Sequence, residues 1–115
     1  MGHHVRIGSY YVNAMGVEAQ PGELPDPYDV DWCRHFLAEE TIKTKKVDTS
    51  RTSYGWKHDV ERWIKSLGLR HEHISNGAFI VAALERGHEH KYPKDSLLHR
   101  DAPLNVCFNV RRKRK

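Results

Sequence analysis

Hydrophobic residues recur at helical spacing in three stretches of the chain and therefore predict three helices. The clearest stripe is formed by Trp56, Val60, Trp63, Ile64 and Leu67. Ser53 is a suitable N-cap for this helix, and Gly68 is a suitable terminator because glycine accepts the left-handed conformation that ends many helices. The charged residues of the same stretch, Lys57 among them, fall mostly off the stripe and are expected to be solvated.

The other two helices flank this one along the chain. The third helix is predicted from about Asn76 to Arg86, with Ser75 as its N-cap and Gly87 at its end. Its centre is apolar on nearly every side, so it should be the most buried helix. The first helix is predicted to start near Asp29 or Asp31, after a proline-rich loop. Its apolar residues at helical spacing are Val30, Cys33, Phe36 and Leu37.

Strand patterns occur towards both ends of the chain. The segment Met1–Met15 is rich in β-branched and aromatic residues, which indicates one or two short strands. The segment Asn105–Val110 alternates with period two, which places Val106 inward and Cys107 outward. The basic region Thr41–Ser50 is predicted as either a strand or an exposed loop, and Thr41–Asp48 is its candidate strand.

These patterns predict one α+β domain in which three helices pack on a small antiparallel sheet. The two central helices resemble a helix–turn–helix pair, although the connection of about seven residues exceeds the usual three or four. The predicted core contains Val30, Phe36, Leu37, Trp56, Val60, Trp63, Ile64, Phe79, Ile80, Ala83, Leu84, Val106 and Phe108. Gly55 and Gly77, each near a helix start, are expected to let another backbone or a phosphate approach closely.

Charge is distributed unevenly along the 115 residues. The chain has a net charge of +4, but residues 1–42 carry −5, residues 43–110 carry +4 and the last five residues carry +5. We therefore predict a single globular domain over residues 1–110 and a basic tail over residues 111–115. The tail is not expected to fold by itself, because its charges repel and it has no apolar residue to bury.

The basic middle region and the basic tail predict contact with nucleic-acid phosphates, from either DNA or RNA. Asn76 is also a predicted contact residue, because a helix of this kind meets the major groove through polar residues at its N-terminus. The third helix lacks the arginine or glutamine side chains that read bases, so we expect contact without base reading. The predicted contact residues are Lys43, Lys45, Lys46, Arg51, Lys57, Arg62, Lys65, Arg70, Asn76, Arg111, Arg112, Lys113, Arg114 and Lys115.

Two His-Glu-His triplets form a second candidate site. Alternate side chains of an extended segment point the same way, so His71 and His73 are one candidate metal pair, and His88 and His90 are another. The two pairs flank one helix of about ten residues, which separates them by roughly 15 Å at a rise of 1.5 Å per residue. One four-ligand site is therefore not expected, and each pair would need help from a carboxylate such as Glu72 or Glu89.

Other sequence features bear on membrane contact, cellular location and catalysis. No segment approaches the roughly 20 apolar residues of a membrane span, so no membrane contact is expected. Cys33 and Cys107 are too few for a disulfide scaffold and favour a reducing, cytoplasmic location. No glycine-rich phosphate loop or nucleophilic serine motif occurs, so neither a cofactor nor catalysis is expected. His58 and Glu61, one helical turn apart, are typical of a surface pair.

Three segments of this sequence resemble a set found in small uncharacterised bacterial and phage proteins. The segments are Thr52–Glu61 (TSYGWKHDVE), Ile74–Ala83 (ISNGAFIVAA) and Asn105–Asn109 (NVCFN). The resemblance implies a protein of a mobile element, with two possible roles. The first is binding the element's nucleic acid, and the second is blocking a host defence complex as anti-CRISPR proteins do.

Three functional hypotheses follow from these observations. The leading one is a non-enzymatic nucleic-acid-binding accessory or regulatory protein. The second is an inhibitor that binds a host protein or nucleoprotein complex through the acidic residues 1–42, with Tyr28 and Trp32. The third is a metal-dependent enzyme that uses the His-Glu-His pairs.

Overall fold

A computed structural model of the chain describes residues 4–71 and 73–114. Three helices and seven short strands lie within those residues, which confirms the α+β class. In chain order they are β1 (Val5–Ile7), β2 (Tyr10–Asn13), β3 (Gly16–Glu18), α1 (Pro27–Glu40), β4 (Thr41–Lys43), α2 (Ser53–Ser66), α3 (Asn76–Glu85), β5 (His90–Lys91), β6 (Cys107–Phe108) and β7 (Val110–Arg112). None of these helices has the length and apolar composition that crossing a bilayer requires.

The strands form three small antiparallel sheets instead of the single sheet predicted. β1, β2 and β3 form a meander, β4 pairs with β7, and β5 pairs with β6. The predicted strand Asn105–Val110 is divided at Asn109, whose side chain accepts from the N–H of Glu89 at 2.8 Å and donates to the carbonyl of Thr44 at 2.9 Å. These bonds fix the chain where it leaves one sheet and enters the next.

The helix starts differ from the predicted ones in two places. α1 begins at Pro27, with Asp26 as its N-cap, because the carboxylate accepts from the N–H of Tyr28 at 2.9 Å. Proline suits a first helical position, where its missing N–H costs nothing. Thr52 occupies the N-cap position of α2 without a side-chain capping bond, while the hydroxyl of Ser53 accepts from the N–H of Val106 at 3.1 Å and ties the helix to the strand region. Ser75 caps α3 as predicted, at 3.1 Å from the N–H of Ala78.

The core lies where the three helices meet the strands. Its largest fully buried side chains include Phe36 of α1, Trp56 of α2, Phe79 of α3 and Phe108 of β6. Every predicted core residue contributes, although Trp63 and Leu84 are only partly buried. Cys107 was expected to point outward. It is fully buried instead, and its thiol faces the backbone carbonyl of Thr49. The thiols of Cys33 and Cys107 are both free.

α3 packs closely against the turn between β2 and β3, as predicted for Gly77. The N–H of Gly77 donates to the carbonyl of Ala14 at 3.2 Å. A Cβ added at Gly77 would lie 1.7 Å from the carbonyl oxygen of Asn13, a distance that no side chain tolerates. Gly55 behaves differently, because a Cβ there would meet nothing within 4 Å. The predicted close approach therefore occurs at only one of the two glycines.

Candidate nucleic-acid interface

The antiparallel pairing of β4 with β7 joins end to end two basic segments that are distant in the sequence. Thr41 lies opposite Arg112, Ile42 opposite Arg111 and Lys43 opposite Val110. The ladder continues on both sides, since Thr44 donates to the carbonyl of Asn109. Seven of the eight residues at positions 43–46 and 111–114 are basic. We call these seven the basic ridge: Lys43, Lys45, Lys46, Arg111, Arg112, Lys113 and Arg114.

The first residues of the predicted tail are part of the fold. Arg111 and Arg112 lie in β7, and the N–H of Lys113 donates to the carbonyl of Glu40 at 2.9 Å. These residues are ordered by the rest of the domain, because a neighbouring strand supplies the hydrogen bonds that the run lacks by itself. Arg114 is described and exposed, while Lys115 lies outside the described residues.

Side chains of the ridge divide between the surface and the core edge. Lys45, Lys46, Arg111 and Lys113 are exposed. Lys43 is also exposed, and its ammonium donates to the carbonyl of Arg86 at 3.0 Å, which caps the C-terminal end of α3. The exposed cations are available to an anionic partner.

Arg112 points inward and joins a cluster of three arginines around one carboxylate. Arg51 donates to Asp59 at 2.8 Å, Arg62 also bonds Asp59, and Arg112 lies 3.8 Å from it. Burial alone would raise the pKa of Asp59, but hydrogen bonds from Arg51 and Arg62 outweigh it and hold that pKa below its usual value. Asp59 therefore keeps its charge and positions the arginines. Arg112 also bonds Glu40 at 3.0 Å.

Lys57 is the first predicted contact residue that the structure places inside the protein. Its residue is only 5% exposed, and its ammonium donates to Glu61 at 3.1 Å. The prediction that Lys57 is solvated is wrong, because the segment between α2 and α3 folds back over this side of the helix. The N–H of Ile74 and the ring of His58 also bond Glu61, both at 2.8 Å.

Asn76 is the second such residue. It is 6% exposed, and its amide nitrogen donates to Met15, Leu104 and Asn105 within the protein. Residues 76–83 of α3 are all buried, so the helix has no face free to enter a groove. The prediction that Asn76 contacts nucleic acid is therefore wrong. The N-terminal end of α3, which a recognition helix would expose, is packed against the β2–β3 turn.

Lys65 and Arg70 lie away from the ridge, around a cavity of about 450 Å³. We call it the histidine cavity, and its lining residues are His58, Glu61, Arg62, Lys65, Leu69, Arg70 and His71. Arg62 belongs to both places, because it also bonds Asp59 in the arginine cluster. The arginine cluster therefore shares Arg112 with the ridge and Arg62 with the cavity.

The four histidines proposed as metal ligands have separate protein partners. His71 bonds Asp29 at 2.6 Å, and His73 lies 3.7 Å from Glu61. His88 is buried and donates to the carbonyl of Ala83 at 3.2 Å, and burial lowers its pKa. His90 lies in β5. No group of three or more potential ligands forms within residues 4–71 and 73–114, and Glu72 falls outside them.

A groove of about 640 Å³ between α1 and α2 carries the acidic surface of the protein. We call it the aromatic groove, and it is lined by Tyr28, Asp31, Trp32, His35, Glu39, Glu40, Trp63, Ser66 and Leu67. Tyr28 and Trp32, predicted as a docking surface, both lie here. Trp63 packs against the core as predicted and also forms the groove wall, with its ring 5.9 Å from that of Trp32.

Two residues with central positions in these sites were not among the sequence candidates. Asp29 is 6% exposed, and it bonds His71, which is 42 residues away in the chain. No local pattern could reveal that contact. Asp59 lies three residues before Arg62, a spacing typical of helical ion pairs, but of its two other arginines Arg51 precedes the helix and Arg112 comes from a distant segment.

Comparisons of the chain with protein-family models, curated proteins and solved structures found no match.

Proposed function

We propose that this protein is a non-enzymatic, cytoplasmic accessory or regulatory protein that binds nucleic acid by contacting phosphates through the basic ridge. The observation that carries the proposal is the antiparallel pairing of β4 with β7, which joins the basic residues within 43–46 end to end with basic residues 111–114. Six of the seven ridge cations are exposed, and positive surfaces gain binding free energy by releasing counterions from phosphates. The proposed resemblance to mobile-element proteins agrees with this role.

The proposed contact reads the phosphate backbone and not the base sequence. α3 is buried, and the exposed ridge residues are lysines and arginines on a short two-stranded ribbon. Lysine and arginine contacts to phosphates position a protein without reading sequence. We therefore propose similar affinities for strands of different sequence, and a strong dependence of each affinity on salt.

Removal of three exposed ridge charges should weaken binding. The variant Lys45→Gln, Lys46→Gln, Arg111→Gln is expected to bind a fluorescent oligonucleotide about tenfold or more weakly than the wild type at low salt. With fewer phosphate contacts, binding of the variant releases fewer counterions from the oligonucleotide. Fluorescence anisotropy with DNA and RNA of the same sequence measures the change. All three side chains are exposed, so the fold should be unaffected.

A matched control removes the same net charge elsewhere. Arg6, Lys94 and Arg100 are exposed and lie outside the ridge, the arginine cluster and the histidine cavity. Their triple replacement by Gln should leave the affinity within about twofold of the wild type, because general charge steering changes little when local contacts remain. Equal losses in both triple variants would contradict a binding site at the ridge.

The aromatic groove supports a second candidate function, the binding of a basic segment of a partner protein. Aromatic rings and carboxylates together suit lysine or arginine side chains, through cation–π contacts and ion pairs. Tyr28 is 75% exposed at the rim, and Asp31 and Glu39 are also exposed. A chain that binds an arginine-rich peptide but no nucleic acid at low salt would favour this function, which corresponds to the proposed inhibitor of a host complex.

The third hypothesis, a metal-dependent enzyme, receives no support from the described residues. Within residues 4–71 and 73–114, no three or more histidine, cysteine, aspartate or glutamate side chains come together as a metal site would require. We therefore do not propose a metal-dependent reaction.

A further inference from the structure

Two carboxylates hold the segment between α2 and α3 in the same way. Glu61 accepts the N–H of Ile74 with Oε2 and bonds His58 Nδ1 with Oε1. Asp29 accepts the N–H of Ser75 with Oδ2, at 3.3 Å, and bonds His71 Nε2 with Oδ1. Neighbouring backbone amides are thus fixed by two side chains from different helices, and each carboxylate uses its second oxygen to hold a histidine ring.

This arrangement fixes the orientation of both rings. An ionised carboxylate can only accept, so the bonded nitrogen of each ring carries the proton. The second nitrogens, Nε2 of His58 and Nδ1 of His71, have no hydrogen-bond partner among the described residues. Both rings are partly exposed and border the histidine cavity. Each ring therefore has one nitrogen held by the protein and one available to a ligand.

The cavity has a surplus of positive charge. Arg62, Lys65 and Arg70 line it together with the carboxylate of Glu61, and of these cations Arg62 is paired with Asp59. The charge of Glu61 is already matched by Lys57, whose side chain is 6% exposed. Burial alone would raise the pKa of Glu61, but hydrogen bonds from Ile74, Lys57 and His58 outweigh it and keep that pKa low. Lys65 and Arg70 are exposed, so their charged groups can form ion pairs with a bound anion.

We propose that the histidine cavity binds a phosphomonoester, such as the terminal phosphate of a nucleic-acid strand. A monoester carries close to two negative charges at pH 7 and three strong acceptor oxygens, whereas an internal phosphodiester carries one charge. A concave site with several donors therefore favours a chain end over a passing backbone. The cavity shares Arg62 with the arginine cluster, so a strand on the basic ridge has a charged path to it. In this form the inference rests on the proposed function.

The test compares three forms of one single-stranded oligonucleotide, with a 5′-phosphate, a 3′-phosphate or neither. Fluorescence anisotropy should show at least about tenfold tighter binding of one phosphorylated form, the gain expected of a few charge-assisted hydrogen bonds. Lys65→Gln with Arg70→Gln should abolish this preference without affecting the fold, because both side chains are exposed. His71→Gln should reduce it, while His35→Gln, a histidine of the aromatic groove, should leave it unchanged.

A second arm separates a strand end from a small phosphorylated ligand. Adenosine 5′-monophosphate, adenosine and inorganic phosphate are titrated by calorimetry. Equal affinity for all three oligonucleotide forms overturns the cavity proposal and leaves the ridge proposal standing. Binding of the monophosphate or inorganic phosphate without any oligonucleotide binding supports the cavity and contradicts the ridge. No binding of any probe overturns both, and an equal loss in the His35→Gln control overturns the cavity proposal.

Discussion

Gly77→Ala is expected to lower the free energy of unfolding by about 3 kcal/mol or more, because the new methyl group has no room. Its Cβ would meet the backbone of Asn13 at 1.7 Å and that of Ala14 at 3.2 Å. Neither obstacle is a flexible side chain, so α3 must move away from the β2–β3 turn. Urea denaturation followed by tryptophan fluorescence measures the loss. It is a large fraction of the 5–15 kcal/mol typical of a domain.

Gly55→Ala is the matched control, since both glycines lie near a helix start. A Cβ at Gly55 meets nothing within 4 Å, and alanine favours a helix by up to about 1 kcal/mol over glycine. This variant should be as stable as the wild type or slightly more stable. If Gly77→Ala lost less than about 0.5 kcal/mol, the close packing of α3 against the turn would be disproved.

Glu61→Gln is expected to have the second largest effect on stability, a loss of about 2–3 kcal/mol. The substitution keeps an oxygen for the N–H of Ile74 but leaves the ammonium of Lys57 without its carboxylate. Removing one partner of a fully buried ion pair costs about 3–5 kcal/mol. The present pair is slightly exposed, with side-chain exposures of 6% for Lys57 and 17% for Glu61. The same denaturation experiment measures this loss.

The pH dependence of stability gives this variant a second readout. The pKa of Glu61 is lowered from its ordinary value of 4.5, so its contribution is complete above that pH and is lost as the pH falls through the lowered value. The difference between wild type and variant should therefore shrink in acid. Glu85→Gln is the control, because its pair with Arg34 is exposed and should contribute less than about 1 kcal/mol. Equal losses for both substitutions would contradict the buried role of Glu61.

The helical part of the fold was predictable because local patterns determine it. The stripe from Trp56 to Leu67 and the capped apolar run after Ser75 place α2 and α3 within a residue or two. The start of α1 was misplaced because Pro25 and Pro27 suggested a continuing loop. An aspartate followed by proline is itself a favoured helix start, so the pattern was present in the sequence.

The strands and buried polar groups were not predictable to the same degree, because they depend on contacts between distant segments. The run Asn105–Val110 has the alternation of one strand, but its halves pair with strands from different parts of the chain. The helical pattern alone places Lys57 on a solvated face, and the residue is buried only because the segment before Ile74 folds over it. Single-sequence periodicity contains neither piece of information.

The candidate interface was predictable in composition and not in arrangement. The basic residues at 43–46 and 111–114 stand out in the sequence, but only the antiparallel pairing of β4 with β7 places them end to end, so that they meet at Lys43 and Arg111. The same pairing directs Arg112 towards Asp59 and away from the tail that the charge pattern suggested. Asp29 has no pattern that would connect it to His71 before the chain folds.

The salt dependence of binding tests the proposed phosphate contact most directly. The affinity of wild type for an unphosphorylated oligonucleotide is measured between 50 and 200 mM salt, together with the Lys45, Lys46, Arg111 triple variant. The slope of log affinity against log salt should be steeply negative for wild type and shallower by roughly two to three in the variant, at 0.7–0.9 per lost contact. Identical slopes, or no wild-type binding at the lowest salt, would contradict nucleic-acid binding through the basic ridge.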